Sequence, residues 1–428
     1  MLDLEIVPER SLGCDAWEFV LGMHFSQSVA IIQSQVGTIR GVQVLYSDQN
    51  PLNVDLVINM PQDGVRLIFD PVAQRLKIIE IYNMKLVKLR YSGMCFNSPE
   101  ISPSIEQIEH CFGATHPGLY DSQRHLFALN FRGLSFYFPV DSKFEPGYAH
   151  GLGSLQFPNG GSPVVSRTTI YYGSQHQAGN TGGSTVSVSA PLPELPLSCY
   201  RQQLHLRRCV VLRSHTQTLG LRLHCFTEGV CGREAGTLCR VVRFGASCQA
   251  VAGLLGAPAR LYYKSDDKMR IHRPTARRRP PPASDYFFNY FTLGLDILFD
   301  ARTHQVKKFV LHTNYPGHYN FNMYHRCEFE LSVTPDKCES NSLVESRGVA
   351  SITAYSKWEG VSRALRVCER PVVLNRASST NTTNPFGSTF CYGYQDIIFE
   401  VMSNNYIASI TLYQPEGTRL NYAVNSIA

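Results

Sequence analysis

The chain has 428 residues, enough for about two to four domains of the usual size. Only 17% of residues are charged, while 22 Tyr and 23 Phe enrich the chain in strand formers, so a mostly β, well-buried protein is the first expectation. A formal net charge of +6 over this length does not mark a nucleic-acid binder. The opening MLDLEIVPERSLG lacks a basic stretch leading into an apolar one, and no run approaches the ~18 apolar residues of a membrane span, so a cytosolic location is expected. Thirteen cysteines without C-x-x-C spacing argue against a disulfide framework and against zinc ribbons, and most are expected to be reduced and buried.

In chain order, Val29, Ile32 and Val36 recur at helical spacing between Ser28, a candidate N-cap, and Gly37, a candidate C-cap. The alternating run VDLVINM follows, then MPQDGVRLIFDPVAQRLKIIEIY from Met60: a Gly, an apolar run closed by Phe69 and Asp70, a polar turn and a second apolar run. This predicts a first module over residues 1–98, one short helix followed by three or four antiparallel strands. Residues 99–172 repeat it. Ile105, Ile108, Cys111 and Phe112 lie between Ser104 and Gly113, HLFALNF follows, and GLSFYF from Gly133 preserves the first strand of the closing hairpin. TTIYYG around Ile170 supplies the second, beyond a Gly/Pro-rich insertion.

Residues 173–244 break the pattern. GSQHQAGNTGGSTVSVSAPLPELPL reads as a flexible linker. Cys209, Cys225, Cys231, Cys239 and Cys248, interspersed with Arg and His, read as divergent strands, with a metal site as the alternative.

A third module spans 245–340. Cys248, Val251, Leu254 and Leu255 lie between Ser247 and Gly256, and in YFTLGLDILFDARTHQVKKFVLH the residues Gly294, Phe299, Asp300, Val306, Phe309 and Leu311 fall on Gly64, Phe69, Asp70, Leu76, Ile79 and Ile81. Its loop 272–284, HRPTARRRPPPAS, reads as a solvated insertion whose Arg277, Arg278 and Arg279 are candidates for contact with anionic lipid headgroups. From His312 onward, Phe321, Met323, His325, Cys327, Phe329 and Leu331 alternate with polar residues, which predicts a half-buried strand rather than a histidine metal site. Tyr315, Tyr319, Phe321 and Tyr324 are the candidate partner-binding residues.

The fourth module, 350–428, has Trp358, Val361, Ala364 and Leu365 at helical spacing, then STFCYGY. Phe399 and Glu400 stand in the Phe-acid place, and a turn one residue longer leads to Ile407, Ile410 and Leu412. The loop from Asn375 holds the sequon Asn381 to Thr383, without meaning in the cytosol, and reads as a plain inter-strand loop. In each clear copy one alternate set of the last strand stays apolar, so that face is covered, most simply by the module's helix. Helices this short need support, so modules one and two should form one half and modules three and four another. The fold class is α+β, repeated helix-plus-meander modules in two halves.

Asp70, Asp300 and Glu400 occupy one place in separate modules, so they read as turn residues and not as a converging carboxylate pair. There is no G-x-S-x-G, P-loop, G-x-G-x-x-G or H-E-x-x-H motif. No catalytic, cofactor-binding or metal residue is assigned, and a non-enzymatic protein is expected, with no small-molecule substrate and no nucleic-acid partner.

The module is similar to the small helix-plus-meander units of β-lactamase inhibitor protein and outer-membrane assembly lipoproteins, which bind proteins. More specifically, MLDLEIVPERSLG, WEFVLGM, DYFFNYFTLG, ILFDARTHQVKKFVLHTNYPGHYNFNMYHRCEFE, NPFGSTFC and IASITLY closely resemble the phagosome assembly factor family. The resemblance covers nearly all of 1–172 and 245–331 and much of the last stretch. It implies a cytosolic, non-catalytic protein in complex with a WD-repeat β-propeller that recognises phosphoinositides, recruited to the site where autophagosomes form. The competing expectation is a direct lipid binder or carrier. The Cys- and Arg-rich 199–244 region and the RRRPPP loop depart from the family's pattern.

Overall fold

A short helix seated on an antiparallel hairpin recurs through the chain, and local chemistry explains its ends. The computed structural model describes residues 1–113, 118–121, 123–140, 163–173, 192–227, 237–264, 284–335, 349–367, 369–375 and 386–414, with strand backbone at 147–148 and 155–156. The module helices are Phe25–Ser34, Ile105–Phe112, Cys248–Leu255 and Trp358–Leu365, and a further single turn of helix spans Leu197–Tyr200. Ser104 Oγ accepts the Gln107 N–H at 3.3 Å and Ser247 Oγ the Ala250 N–H at 3.2 Å, while Gly113 and Gly256 take φ of 86° and 81° at the far ends. The first helix starts before the predicted Ser28 cap. His24 is its N-cap, with Nδ1 accepting the Ser26 N–H and Gln27 reaching back to the His24 N–H, and Ser28 is buried inside the helix.

One hydrogen bond ties each helix to its own meander. The first helical N–H donates to a carbonyl in the turn before the closing strand: Phe25 to Gln74 at 2.9 Å, Ile105 to Pro163 at 3.2 Å, Cys248 to His304 at 2.9 Å and Trp358 to Asn405 at 2.9 Å. Gln74, His304 and Asn405 are themselves left-handed, with φ of 54°, 54° and 71°.

The chain divides into two units, Met1–Cys199 and Tyr200–Ala428, and each holds a five-stranded and an eight-stranded sheet. In the first unit the small sheet runs Trp17–Val20, Ser11–Cys14, Leu2–Val7, Val87–Tyr91, Met94–Asn97. Its central pair, Leu2–Val7 with Val87–Tyr91, is parallel, which requires the long crossover that the first helix and meander provide. The large sheet runs Leu119–Asp121, Leu126–Phe131, Leu134–Pro139, Arg167–Tyr171, Leu76–Ile81, Val65–Phe69, Leu56–Met60, Gln43–Leu45.

The second unit has the same order. Its small sheet runs Leu238–Arg243, Gln217–Phe226, His205–Ser214, Phe329–Val333, Ala350–Thr353, again with a parallel central pair. Its large sheet runs Arg260–Tyr263, Tyr286–Tyr290, Leu295–Phe299, Val306–His312, Ile407–Tyr413, Ile397–Val401, Thr389–Tyr394, Val372–Leu374. In both units the two meanders join through their closing strands, antiparallel. In the second, Phe309 pairs with Leu412, Leu311 with Ile410, and Val310 with Thr411, so a local two-fold passes between Val310 and Thr411.

In the second unit, inward residues of both sheets and both helices fall in one apolar cluster: Cys209, Leu221 and Val242 from the small sheet, Ile297, Phe309 and Ile410 from the large one, Val251, Leu255 and Trp358 from the helices. Phe69 meets Phe25 edge-on at 5.2 Å, Phe299 stacks on Tyr286 at 5.4 Å, and Phe399 lies 5.2 Å from Trp358. All three phenyl rings are fully buried.

The divergent stretch does hold strands: His205–Ser214, Gln217–Phe226 and Leu238–Arg243 pair in the same order as Leu2–Val7, Ser11–Cys14 and Trp17–Val20, although the two sets share little sequence; 174–191 of the expected linker and 228–236 lie outside the described residues. Two expectations need correction. Residues 313–328 form turns and irregular chain, and a strand begins only at Phe329. In the fourth module the register places Val401 opposite Ile407, as Phe69 is opposite Leu76 and Phe299 opposite Val306. The residues in the Phe-acid place are therefore Val401 and Met402, and the turn is one residue shorter, not longer.

Replacing Phe69 with Ala should cost roughly 3–5 kcal/mol, a core-cavity penalty, read as a lowered urea midpoint. Val36→Ala, on an exposed site, should leave that midpoint unchanged.

Candidate functional site

The richest concentration of chemistry lies on the outer face of the second unit's eight-stranded sheet. Strand alternation sends apolar residues inward there, leaving Asn289, Asp296, His312, Ser409, Glu400 and Thr389 in a row across neighbouring strands. All six are at least nine-tenths buried, because residues 313–328 fold back over them.

Left-handed residues turn that segment: Asn314 at φ 55° and Gly317 at 88°. Thr313 Oγ1 donates to the Ala408 carbonyl at 2.8 Å, and Tyr315 OH donates to the Ala354 carbonyl at 3.0 Å. Arg326 Nε donates to the Thr313 carbonyl at 2.9 Å, with its guanidinium over the Tyr315 and Tyr355 rings at 5.0 and 5.2 Å. Tyr324 stacks on His312 at 3.9 Å between centroids and donates its hydroxyl to both Asp296 oxygens, at 2.9 and 2.8 Å.

The row itself is a continuous polar network. Asn289 Nδ2 donates to Asp296 Oδ1 at 2.7 Å, and His312 Nε2 meets Asp296 Oδ2 at 2.9 Å. Asn320 Nδ2 approaches His312 Nδ1 at 3.4 Å and its carbonyl oxygen meets His318 Nδ1. His318 Nε2 faces Glu400 Oε1 at 3.4 Å, and Glu400 also accepts from Thr389 Oγ1 at 2.8 Å and Ser409 Oγ at 2.7 Å. Glu400 is thus a buried strand residue and not the turn acid expected of it. Asp70 and Asp300 are turn acids: each carboxylate accepts two backbone N–H groups, from Val72 and Ala73 and from Arg302 and Thr303. Those bonds hold the Asp300 carboxyl well below the usual carboxylate range.

An Asp–His pair resembles the orienting half of a nucleophilic triad, but the rest of the geometry differs. The second ring nitrogen of His312 faces the Asn320 amide, Tyr324 covers the ring, and no hydroxyl or thiol among the described residues is bonded to it. Burial, and then the Asp296 charge, push the Tyr324 phenol far above its ordinary range, so it stays a donor. Among the described residues no group of three or more His, Cys, Asp or Glu is placed to hold a metal ion. The arrangement locks a segment onto a sheet.

Among its described residues, the first unit shows the same face without that cover. Residues 82–86 make its connection, and the row reads Gln43, Asn59, Arg66, Glu80 and Arg167. Arg66 lies 4.2 Å over the Tyr82 ring and Arg167 4.2 Å over Tyr137, with the Arg66 side chain 42% exposed.

Of the sequence candidates, Tyr315, Phe321 and Tyr324 are buried against their own chain and only Tyr319 is exposed, at 44%. The alternation is real but serves a covering segment, not an edge. Arg277, Arg278, Arg279 and the sequon at Asn381 lie outside the described residues. Sequence patterning missed the outermost strands of the eight-stranded sheets, Gln43–Leu45, Leu119–Asp121, Arg260–Tyr263 and Val372–Leu374, each the first strand of a meander. Large apolar residues are exposed on all four: Val44, Leu119, Tyr263 and Val372 among them. Their signal is the short apolar run that follows each helix's closing residue, Gln35, Gly113, Gly256 or Arg366. No helix among the described residues is long and apolar enough to cross a membrane.

The family model for phagosome assembly factor 1 matches residues 15–413. A PHAF1 protein of Drosophila melanogaster is 63% identical over 425 residues, covering 96% of this chain and 94% of its own length. A PHAF1 protein of Arabidopsis thaliana is 38% identical, covering 94% and 92%, and one of Caenorhabditis elegans is 35% identical, covering 96% and 93%. No solved structure matches.

Glu400→Ala strands three donors in a buried site and should cost about 1–3 kcal/mol, with faster amide exchange across 313–328. Tyr319→Ala should change neither.

Proposed function

This chain belongs to the phagosome assembly factor 1 family, and we propose that it acts in autophagosome formation as a non-catalytic adaptor. In this reading it forms a heteromeric complex with a WD-repeat β-propeller protein that recognises phosphoinositides. That partner draws it from the cytoplasm to the phagophore assembly site, and membrane contact runs through the propeller.

The observation that carries this reading is where apolar surface lies exposed. The buried polar row is closed, whereas each eight-stranded sheet ends in two short strands, three of the four exposed at every residue and Leu119–Asp121 half-buried only at Tyr120. A strand of three or four residues is too short to template open-ended aggregation, yet it offers backbone groups and large apolar side chains to one chosen partner. An adaptor needs such surfaces, and an enzyme needs converging reactive groups.

Two measurements test it. Purified chain should float poorly with phosphoinositide-containing vesicles and float well once the purified propeller protein is added; strong flotation alone would replace the adaptor with a direct lipid binder. Lysine at Val44 and Val373 should weaken capture of the propeller about tenfold, in line with rim or edge charges opposing association, with the thermal midpoint unchanged. Undiminished capture would remove these edges from the interface.

A further inference from the structure

We infer that the second unit carries a docking groove for an extended acidic peptide segment, running from a basic cleft onto the edge strand Arg260–Tyr263. This stands on the groove alone and holds whichever protein supplies the segment.

The cleft encloses about 570 Å³ between residues 201–204, 254–259 and 290–293. Its lining holds two guanidinium groups, Arg201 and Arg240, and no carboxylate. Arg240 donates from Nε to the Leu254 carbonyl at 3.3 Å and from Nη1 to the Cys239 carbonyl at 3.2 Å, so its charge is positioned by backbone and not neutralised by an acid. Arg201 is exposed, and it and Gln202 are successive non-glycine residues in the left-handed region, at φ 48° and 57°. A second cleft of the unit, about 440 Å³, differs on this point: there Arg208 is held by both Glu330 carboxylate oxygens.

The walls are fixed before any ligand arrives. Tyr290 OH donates to the Gly256 carbonyl at 3.1 Å and Thr292 Oγ1 to the Leu204 carbonyl at 2.6 Å, joining the three segments. The wall at 256–259 runs directly into Arg260–Tyr263, which among the described residues pairs on one side only, with Tyr286–Tyr290. Leu261, Tyr262 and Tyr263 are 46–59% exposed, and Arg260 at the strand's start is exposed too. Arg201, Arg240 and Arg260 have no ion-pair partner among the described residues. An added strand would take the free backbone groups and the apolar side chains, and carboxylates on it would meet the guanidiniums. A lipid headgroup would use the charges but leave the strand's backbone unpaired, which is why a peptide fits better.

The test is selection of phage-displayed random decapeptides on the purified full chain, followed by fluorescence anisotropy titration of enriched sequences. Enriched peptides should alternate apolar residues with Asp or Glu. Arg201→Glu with Arg260→Glu, both surface changes, should weaken their binding at least tenfold while the thermal midpoint stays in place. The inference is overturned if no acidic sequences are enriched, or if they bind the double variant as well as the parent. It is overturned equally if phosphatidylserine vesicles bind the parent with the same loss on double substitution, which would assign these arginines to a membrane.

Discussion

The hydrogen bond from each helix's first N–H to the turn before the closing strand is the constraint on which the modules depend. A helix of eight to ten residues leaves four N–H groups without internal partners and cannot persist in water alone. Placing one of those donors on a carbonyl of the hairpin satisfies it and fixes the helix's direction over the sheet. Phe25 and Trp358, the residues that make this bond, are then carried onto Phe69 and Phe399. In three modules the accepting residue is left-handed, so the turn is shaped to present its carbonyl to the helix. Packing of the inner face follows from that alignment.

Joining two modules through their closing strands has a second effect. The best-paired strands sit in the middle of each eight-stranded sheet and the least-paired at its two ends. The local two-fold between Val310 and Thr411 makes those ends alike in kind, while their residues differ: Arg260–Tyr263 brings tyrosines and a basic cleft, Val372–Leu374 only aliphatic side chains. Equivalent positions therefore present different chemistry.

Much of this is legible in the sequence because the relevant signals are local. Ser104 and Ser247 cap their helices, Gly113 and Gly256 close them, and the period-two faces are where alternation puts them. What escapes is an uncommon cap in one case and non-local pairing in the others. His24 is a less common cap than the Ser four residues on, so the pattern alone starts the first helix too late. Leu2–Val20 and His205–Arg243 share a strand order but few residues, so their equivalence shows only in the pairing. In 313–328 the alternating aromatics pack against a buried polar row contributed by strands up to 95 positions away, which no window of sequence contains. Glu400 imitates the turn acids by following a Phe, but a shorter turn shifts the register and puts its carboxylate beneath Ser409 and Thr389.

Two units sharing one strand order and one pattern of parallel and antiparallel pairing are what an internal duplication leaves behind. The unequal connections after the first meander, 82–86 in one and 313–328 in the other, then become a record of divergence. Where the long connection settled, every hydroxyl, amide and carboxylate beneath it became answerable to several neighbours at once, and single replacements there must come in matched sets. The arginine ladder of the first unit has no such lid among the described residues. Its two arginines reach solvent, so replacing either one disturbs fewer packed neighbours than a change beneath the long connection does.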